Sequence, residues 1–426
     1  MSILIRNVLL DGKRRNVHIE GNRFANLNAA DDAAADEVID GSGFAILPAF
    51  YNTHSHLAMT LLRGYADDME LFTWLNDHVW PFEAQMQPED IYAGTRLAAL
   101  EMIKSGTVFV CDMYWMEQEA ARAIAEMGIR ASVCTHVIGF HPREVTEATL
   151  QRARRWKDID GRVTLTVAAH APYTCSAELI RECHGLAREL GRPFSTHLAE
   201  TRKEFDDCVR EHGMSPVKYL DSLGVLDRNT IAAHVVHVTD EDIAILAERG
   251  VVIAHNPVSN MKLASGTFRG DELERAGCRV TLGTDGACSN NNLSMIEEMK
   301  VAALLAKVSG GPEKVKAAEV LSWATRNGAE AFGLDAGEIR TGALADAILV
   351  DLGNERLVPN HNLVSNWVYS ADSSCVDTVI CDGRVVMRGH HVPGEEEIIS
   401  EAHRSAERIL ARLAQAKAKA AGTQAD

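Results

Sequence analysis

Eight apolar, β-rich runs are spread over one stretch of this chain, at 45–56, 107–114, 130–137, 164–175, 193–200, 230–238, 251–259 and 279–287. Between most of them lie stretches with a helical pattern of apolar residues, at 88–105, 117–127, 177–190 and 240–249. Apolar strands that alternate with helices build βα units and a parallel sheet. Eight such units within residues 50–338 predict a (β/α)8 barrel. An open, doubly wound sheet would want a glycine-rich phosphate turn after its first strand, and the sequence has none there.

The flanks read differently. Residues 1–49 carry short alternating runs at 3–10, 17–20 and 37–39, too little chain for a core of its own. Residues 339–395 carry similar runs at 347–351, 375–381 and 384–387. The two ends are expected to pair as a small β-sandwich domain beside the barrel, giving an α/β protein overall. Residues 396–426 are read as a C-terminal helix and tail. The helix, over 396–418, is charged, alanine-rich and expected to be exposed, and the last few residues are expected to fray.

The chain has 43 Lys and Arg against 60 Asp and Glu, a formal charge of −17. Such a surface repels phosphate backbones and anionic lipid, so neither nucleic acid nor membrane is an expected partner. No apolar stretch reaches the roughly 18–20 residues of a membrane span. The N-terminus lacks the long apolar segment and small-residue cleavage site of a secretion signal. Nine cysteines, odd in number and without a CxxC, read as reduced thiols in a cytoplasmic protein.

The histidines are the informative residues. His54 and His56 end the first barrel run, and a spacing of two on a strand puts both on one face. His197 ends the fifth run, His234 the sixth and Asp285 the eighth. Strand carboxyl ends converge on the mouth of a barrel. Imidazoles with one carboxylate suit a single divalent transition ion, Zn2+ first, with Fe2+ or Mn2+ as alternatives. Glu200, three residues after His197, is placed to act as a proton donor beside such a centre. His170 ends the fourth run and is read as a substrate contact or an extra ligand. Asn290 to Asn292 read equally as helix caps or substrate contacts. His237 and His255 are read as packing residues. Residues 58–90 are read as a lid.

These residues carry a resemblance. Asn52-Thr53-His54-Ser55-His56, Thr196-His197-Leu198-Ala199-Glu200-Thr201, Ala233-His234-Val235-Val236-His237, His255-Asn256-Pro257-Val258-Ser259-Asn260 and Gly283-Thr284-Asp285-Gly286-Ala287 occur in that order. The chain resembles the amidohydrolase superfamily, and within it the 5-methylthioadenosine/S-adenosylhomocysteine deaminases, over essentially its whole length. The resemblance implies that His54, His56, His197 and Asp285 hold one zinc and that Asp285 takes a proton from the attacking water. It implies that Glu200 protonates a purine ring nitrogen and that His234 stabilises the tetrahedral intermediate. It implies that Glu83 holds ribose hydroxyls and His170 touches substrate. Superfamily relatives commonly pair, which implies a homo-oligomer.

One departure stands out. Methylthioadenosine-type members can carry an arginine at the end of the third barrel strand. Here Arg130 starts that run, and Thr135 and His136 end it. Neither supplies a guanidinium, so weak use of S-adenosylhomocysteine is expected. The expected activity is metal-dependent hydrolytic deamination of an adenosine-type nucleoside (5-methylthioadenosine, S-adenosylhomocysteine, adenosine or 5-deoxyadenosine), giving the inosine analogue and ammonia. The alternative is hydrolysis of a free base (guanine, 8-oxoguanine or cytosine type) or an s-triazine. A scaffold that had lost its chemistry would show a broken ligand set, and this set is intact.

Overall fold

The structure, a computed structural model, describes residues 1–423, so the end of the tail expected to fray lies outside it. Sixteen strands form two sheets of eight. In chain order they are β1 (Ser2–Leu10), β2 (Lys13–Glu20), β3 (Arg23–Asn26), β4 (Glu37–Asp40), β5 (Phe44–Pro48), β6 (Phe50–Ser55), β7 (Thr107–Asp112), β8 (Arg130–Val137), β9 (Val163–Ala169), β10 (Phe194–Leu198), β11 (Thr230–His234), β12 (Val252–His255), β13 (Arg279–Leu282), β14 (Ala347–Asp351), β15 (Val376–Cys381) and β16 (Arg384–Met387).

Strands β6 to β13 pair in sequence order, every pair parallel. Nearly every residue on them is buried, because helices cover one face and the barrel interior the other. Several helices after the strands begin at a hydroxyl that caps a free N–H (Ser176, Thr201, Ser215, Thr239) and end at a left-handed glycine (Gly191, Gly213, Gly250). The first and last strands meet at a seam. There Thr53 Oγ1 donates to Leu282 O at 2.9 Å, and Asp285 N donates to His54 O at 3.0 Å. That backbone bond sets His54 beside Asp285, residues 231 positions apart in the chain.

All eight barrel runs are present, with one difference. The run 45–56 is two strands in two sheets. Ala49 N donates to Asp346 O in the terminal sheet and Phe50 N to Gly106 O in the barrel, so the chain changes sheets between two adjacent residues. An unbroken apolar run cannot signal this, since both strands are buried.

The remaining strands come from both chain ends, in the order β16-β15-β14-β5-β1-β2-β3 with β4 added beside β1. The sandwich expected there is hydrogen-bonded as one continuous mixed sheet over a core that includes Ile3, Ile5, Val17, Ile19, Phe24 and Leu349. A buried polar knot ties this sheet to the barrel floor. Arg130 Nε donates to Asp346 Oδ2 at 2.8 Å, its Nη2 donates to Asp382, and Tyr51 OH donates to Asp346 at 2.6 Å.

The C-terminal helix, Glu395–Thr423, is not the exposed element expected. Ile398, Ala402, Ser405, Ile409 and Leu413 form a buried stripe at helical spacing. Asp90, fully buried on the helix Pro88–Lys104, accepts from Ser405, Arg408 and Arg412. The long polar arms that made this segment look solvated are what dock it. No helix among the described residues is long and apolar enough to cross a membrane. All nine cysteines are buried and unbonded.

Candidate functional site

At the carboxyl ends of the barrel strands lies a cavity, the position where barrel enzymes of this architecture place their sites. Residues His56, Glu83, His170, His197, Glu200, His234 and Asp285 line it. His54 sits just beneath, fully buried. Every site residue expected from the sequence therefore gathers at one place.

Ligand atoms of two overlapping triplets, His54/His56/Asp285 and His54/His197/His234, lie within 4.8 Å of one another. His56 Nε2 is 3.2 Å and His54 Nε2 3.7 Å from Asp285 Oδ1. The His54 ring stands edge-on to those of His56 and His197, each at 4.9 Å between centroids. The second triplet makes His234 as close a candidate ligand as His197.

Three of the imidazoles are aimed by a contact at Nδ1. That of His56 meets Met113 O at 2.5 Å, that of His197 meets His170 O at 2.7 Å, and that of His234 meets Asn260 Oδ1 at 2.8 Å. Carbonyl acceptors fix the ring proton on Nδ1 and leave Nε2 free to face the centre. His54 is different, for both of its ring nitrogens are buried with no partner in the chain. A buried polar atom left unpaired is costly, so this imidazole fits a site built for an added group. Imidazole nitrogens around one carboxylate match the donor chemistry of a divalent transition ion. These residues could hold one.

Asp285 is held on both oxygens. Ser259 Oγ donates to Oδ2 at 2.6 Å, Ser289 Oγ to Oδ2 at 3.1 Å and Gly286 N to Oδ1 at 2.8 Å. Gly286 packs closely against the site, since a Cβ there would stand 2.6 Å from Met59 Sδ and 3.2 Å from His56 Cβ. The backbone is strained around the centre, with positive φ at Ala199 (52°), His234 (75°), Val235 (50°) and Asp285 (62°). Such strain in non-glycine residues persists where surrounding structure enforces it, and it clusters at functional sites.

Charge follows the same plan. Burial alone would raise the Asp285 carboxyl, but the hydrogen bond and charge of His56, with His234 and His54, hold it well below its usual range. Burial, then the charges of His56 and His234, push His197 down to about 3. Burial opposes charge on His56 too, yet Asp285 outweighs it and lifts that ring to about 8. Burial raises Glu200, with His234 opposing. Glu200 Oε2 stands 3.8 Å from His234 Nε2. Its turn is fastened by Glu204, which accepts from the N–H groups of Ala199 and Glu200, both at 2.8 Å.

Glu83 arrives from the segment 58–90, on the short helix Trp80–Glu83. Residues Leu71–Trp74, Leu75–Val79 and Trp80–Glu83 form one helix broken by a π turn. Pro81 has no N–H for the carbonyl four residues back, which accounts for the widened turn. Glu83 Oε1 accepts from Tyr114 OH at 2.6 Å, and burial lifts its carboxyl to about 7. His170 Nδ1 meets Thr174 Oγ1 at 2.9 Å.

Other expectations resolve simply. His237 Nε2 meets Ser265 O, and His255 stacks on Phe268, so both pack. Asn290 donates to Thr284 O and Glu298, and Asn292 accepts from Ser294 N, so these residues brace and cap and do not line the cavity. Residues that sequence reasoning missed also line it, among them Tyr114, Trp115, His136, Tyr173 and Ser289. Tyr114 and His136 stand near strand ends, a signal that was present. Ser289 is placed by the fold alone.

The pattern of the amidohydrolase family matches residues 45–386. The chain is 46% identical to the 5'-deoxyadenosine deaminase of Methanothermobacter thermautotrophicus, over 91% of this chain and 92% of that protein. It is 47% identical to the 5-methylthioadenosine/S-adenosylhomocysteine deaminase of Pelotomaculum thermopropionicum, over 88% of each. A crystal structure of an adenosine deaminase from Xanthomonas campestris with bound zinc superposes with a TM-score of 0.91 at 32% identity, over 96% of this chain and 98% of that one. The strand-end histidines, the clamped aspartate and a match that spans most of the sequence agree, and this chain belongs to the amidohydrolase family.

Proposed function

We propose that the chain is a metal-dependent hydrolytic deaminase of adenosine-type nucleosides, producing the inosine analogue and ammonia. The observation that carries this reading is the meeting of a histidine–aspartate cluster with Glu200 in one cavity. The printed activities of the two deaminase relatives favour the same substrate class.

His54, His56, His197 and Asp285 would hold the ion, and zinc is the ion named with the Xanthomonas structure. A divalent ion seated there supplies Lewis acidity, the chemistry that makes water a nucleophile near neutral pH. The chain's own residues do the rest. Asp285 accepts the proton of the attacking water on a carboxylate already oriented by Ser259 and Gly286. Glu200, raised by burial, carries a proton to the ring nitrogen beside the amino-bearing carbon, which makes that carbon electrophilic. His234, fixed by Asn260, faces the same point and stabilises the tetrahedral carbon. The proton then passes to the amino group, which leaves as ammonia. Glu83, oriented by Tyr114, lines the cavity as the acceptor for ribose hydroxyls, and His170 offers a second polar contact.

The test is ammonia release from purified, zinc-supplemented protein with 5-methylthioadenosine, 5-deoxyadenosine, adenosine, guanine, 8-oxoguanine, cytosine and melamine. Turnover of an adenosine is expected. Turnover of free bases or melamine with none of the adenosines would move the substrate class elsewhere.

A further inference from the structure

The acidic wall groups of the cavity are Glu83, Glu200 and Asp285, and no lysine or arginine lines it among the described residues. The roof is apolar, built from Leu71, Trp74, Leu75 and Trp80. On the wall that continues from β8, His136 is nine-tenths buried, and its ring stands edge-on to Trp115 at 4.1 Å and to His170 at 5.4 Å.

The cations close to the roof are already engaged. Lys262 donates to Asp67, Cys288 O and Asn291. Lys203 pairs with Asp207 and lies 5.1 Å from the Phe72 ring centroid. Arg130, the arginine on β8, is at the opposite end of that strand and is bound to Asp346 and Asp382. The roof itself is fastened. Trp74 Nε1 donates to Ala66 O at 3.0 Å, Glu70 caps the N–H groups of Phe72 and Thr73, and Phe72 packs on Tyr173 at 5.8 Å. These contacts hold the apolar surface of Leu71, Trp74, Leu75 and Trp80 in place at the cavity.

We infer, resting on the deaminase reading above, that this site selects adenosines whose 5'-substituent is uncharged and rejects those that end in an amino acid. An α-carboxylate carried on the 5'-substituent meets no lysine or arginine on this lining, and the carboxyl it approaches on the ribose side is Glu83. Removing a charge from water without a partner is among the costliest events in recognition. A methylthio group or a bare 5'-methyl instead gains the aromatic and leucine surface of the roof. The two deaminase relatives bear names that span both kinds of substrate, and the lining of this cavity separates them.

The experiment has two arms on the intact, metal-loaded protein. The first compares kcat/KM for 5-deoxyadenosine and 5-methylthioadenosine with that for S-adenosylhomocysteine. A preference of about 100-fold for the uncharged pair is expected, and a ratio under about tenfold overturns the inference while leaving the deaminase reading intact. The second measures calorimetric binding of the deaminated products, methylthioinosine and S-inosylhomocysteine, where no turnover is needed. Methylthioinosine is expected to bind and S-inosylhomocysteine to bind at least about tenfold more weakly. If no adenosine is turned over, the deaminase reading fails and this arm alone decides the selectivity, with equal affinities or no binding of either overturning it.

Discussion

Ser259 donates a 2.6 Å hydrogen bond to Oδ2 of Asp285, and Ser289 donates a second to the same oxygen at 3.1 Å. The two serines come from separate short helices, Pro257–Lys262 and Ala287–Asn290, and buried Glu298 holds both by accepting from Val258 N and Asn290 Nδ2. The clamp keeps Oδ2 occupied and turns Oδ1 toward His56. Removing the shorter bond with Ser259→Ala is expected to cost about 1.5–3 kcal/mol of transition-state stabilisation, about 10- to 100-fold in kcat. Circular dichroism and metal content should stay near wild type. An unchanged kcat would show that Ser289 alone orients the carboxylate.

Glu200 reaches the cavity from the turn after β10 but belongs to neither triplet that could hold a metal. Glu200→Gln keeps the shape and removes the transferable proton. The variant is expected to retain its metal, measured by atomic spectroscopy, and to lose about 100- to 10,000-fold in kcat. Normal turnover would take Glu200 out of the chemistry.

His54 has both ring nitrogens buried and unpaired within the chain. An ion that takes one of them binds the folded protein and not the unfolded one, so it must also stabilise the fold. Stripping with a chelator is expected to abolish turnover and lower Tm by several degrees, and one equivalent of zinc per chain to restore both. Activity that survived exhaustive stripping would separate the cluster from the reaction.

The barrel and its centre were legible because the relevant signals are local. A strand end is visible as the end of an apolar run, and the residues of that end face the mouth, so His54, His56, His197, His234 and Asp285 could be collected without knowing any contact. The residues that tune them were not. Asn260 meets His234 only because β11 and β12 lie side by side, and Ser289 meets Asp285 only because the chain turns back after β13. The break at Ala49 and the buried stripe of the last helix were hidden for a related reason. Burial was read from composition, and composition does not say which sheet or helix does the covering.

Arg130 stands where the sequence put it, at the start of the third barrel strand and away from the mouth. It sits on the floor of the barrel, 4% exposed, with Asp346 fully shielded beneath it. Arg130→Met leaves the Asp346 charge without its partner. A loss of about 3–5 kcal/mol in unfolding free energy is expected, with KM close to wild type in the fraction that folds. Lysine should not rescue it, because one guanidinium reaches both Asp346 and Asp382. A large change in KM at preserved stability would instead connect this arginine to the cavity.

Glu204 supports the turn that carries Glu200, and its protonation should show in the pH dependence of stability. Burial is the main cause that lifts its carboxyl from 4.5 to about 7, against the two backbone donors that favour the charged form. An unfolded chain releases this proton near 4.5, while the folded chain keeps it until about 7. Between those values the folded state binds more protons, so raising the pH favours unfolding. The contribution is fully present below about 4.5 and gone above about 7, a span of up to about 3 kcal/mol. Glu204→Gln cannot titrate, and its amide oxygen serves one of the two N–H groups at Ala199 and Glu200. Urea unfolding of both proteins at pH 5 and pH 7.5 should therefore show wild type losing stability relative to the variant as pH rises. The variant should also lose about tenfold in kcat, because the Glu200 turn keeps only one of its two anchors. If wild type instead gains on the variant with rising pH, the carboxylate is ionised in the fold and its two backbone bonds outweigh its burial.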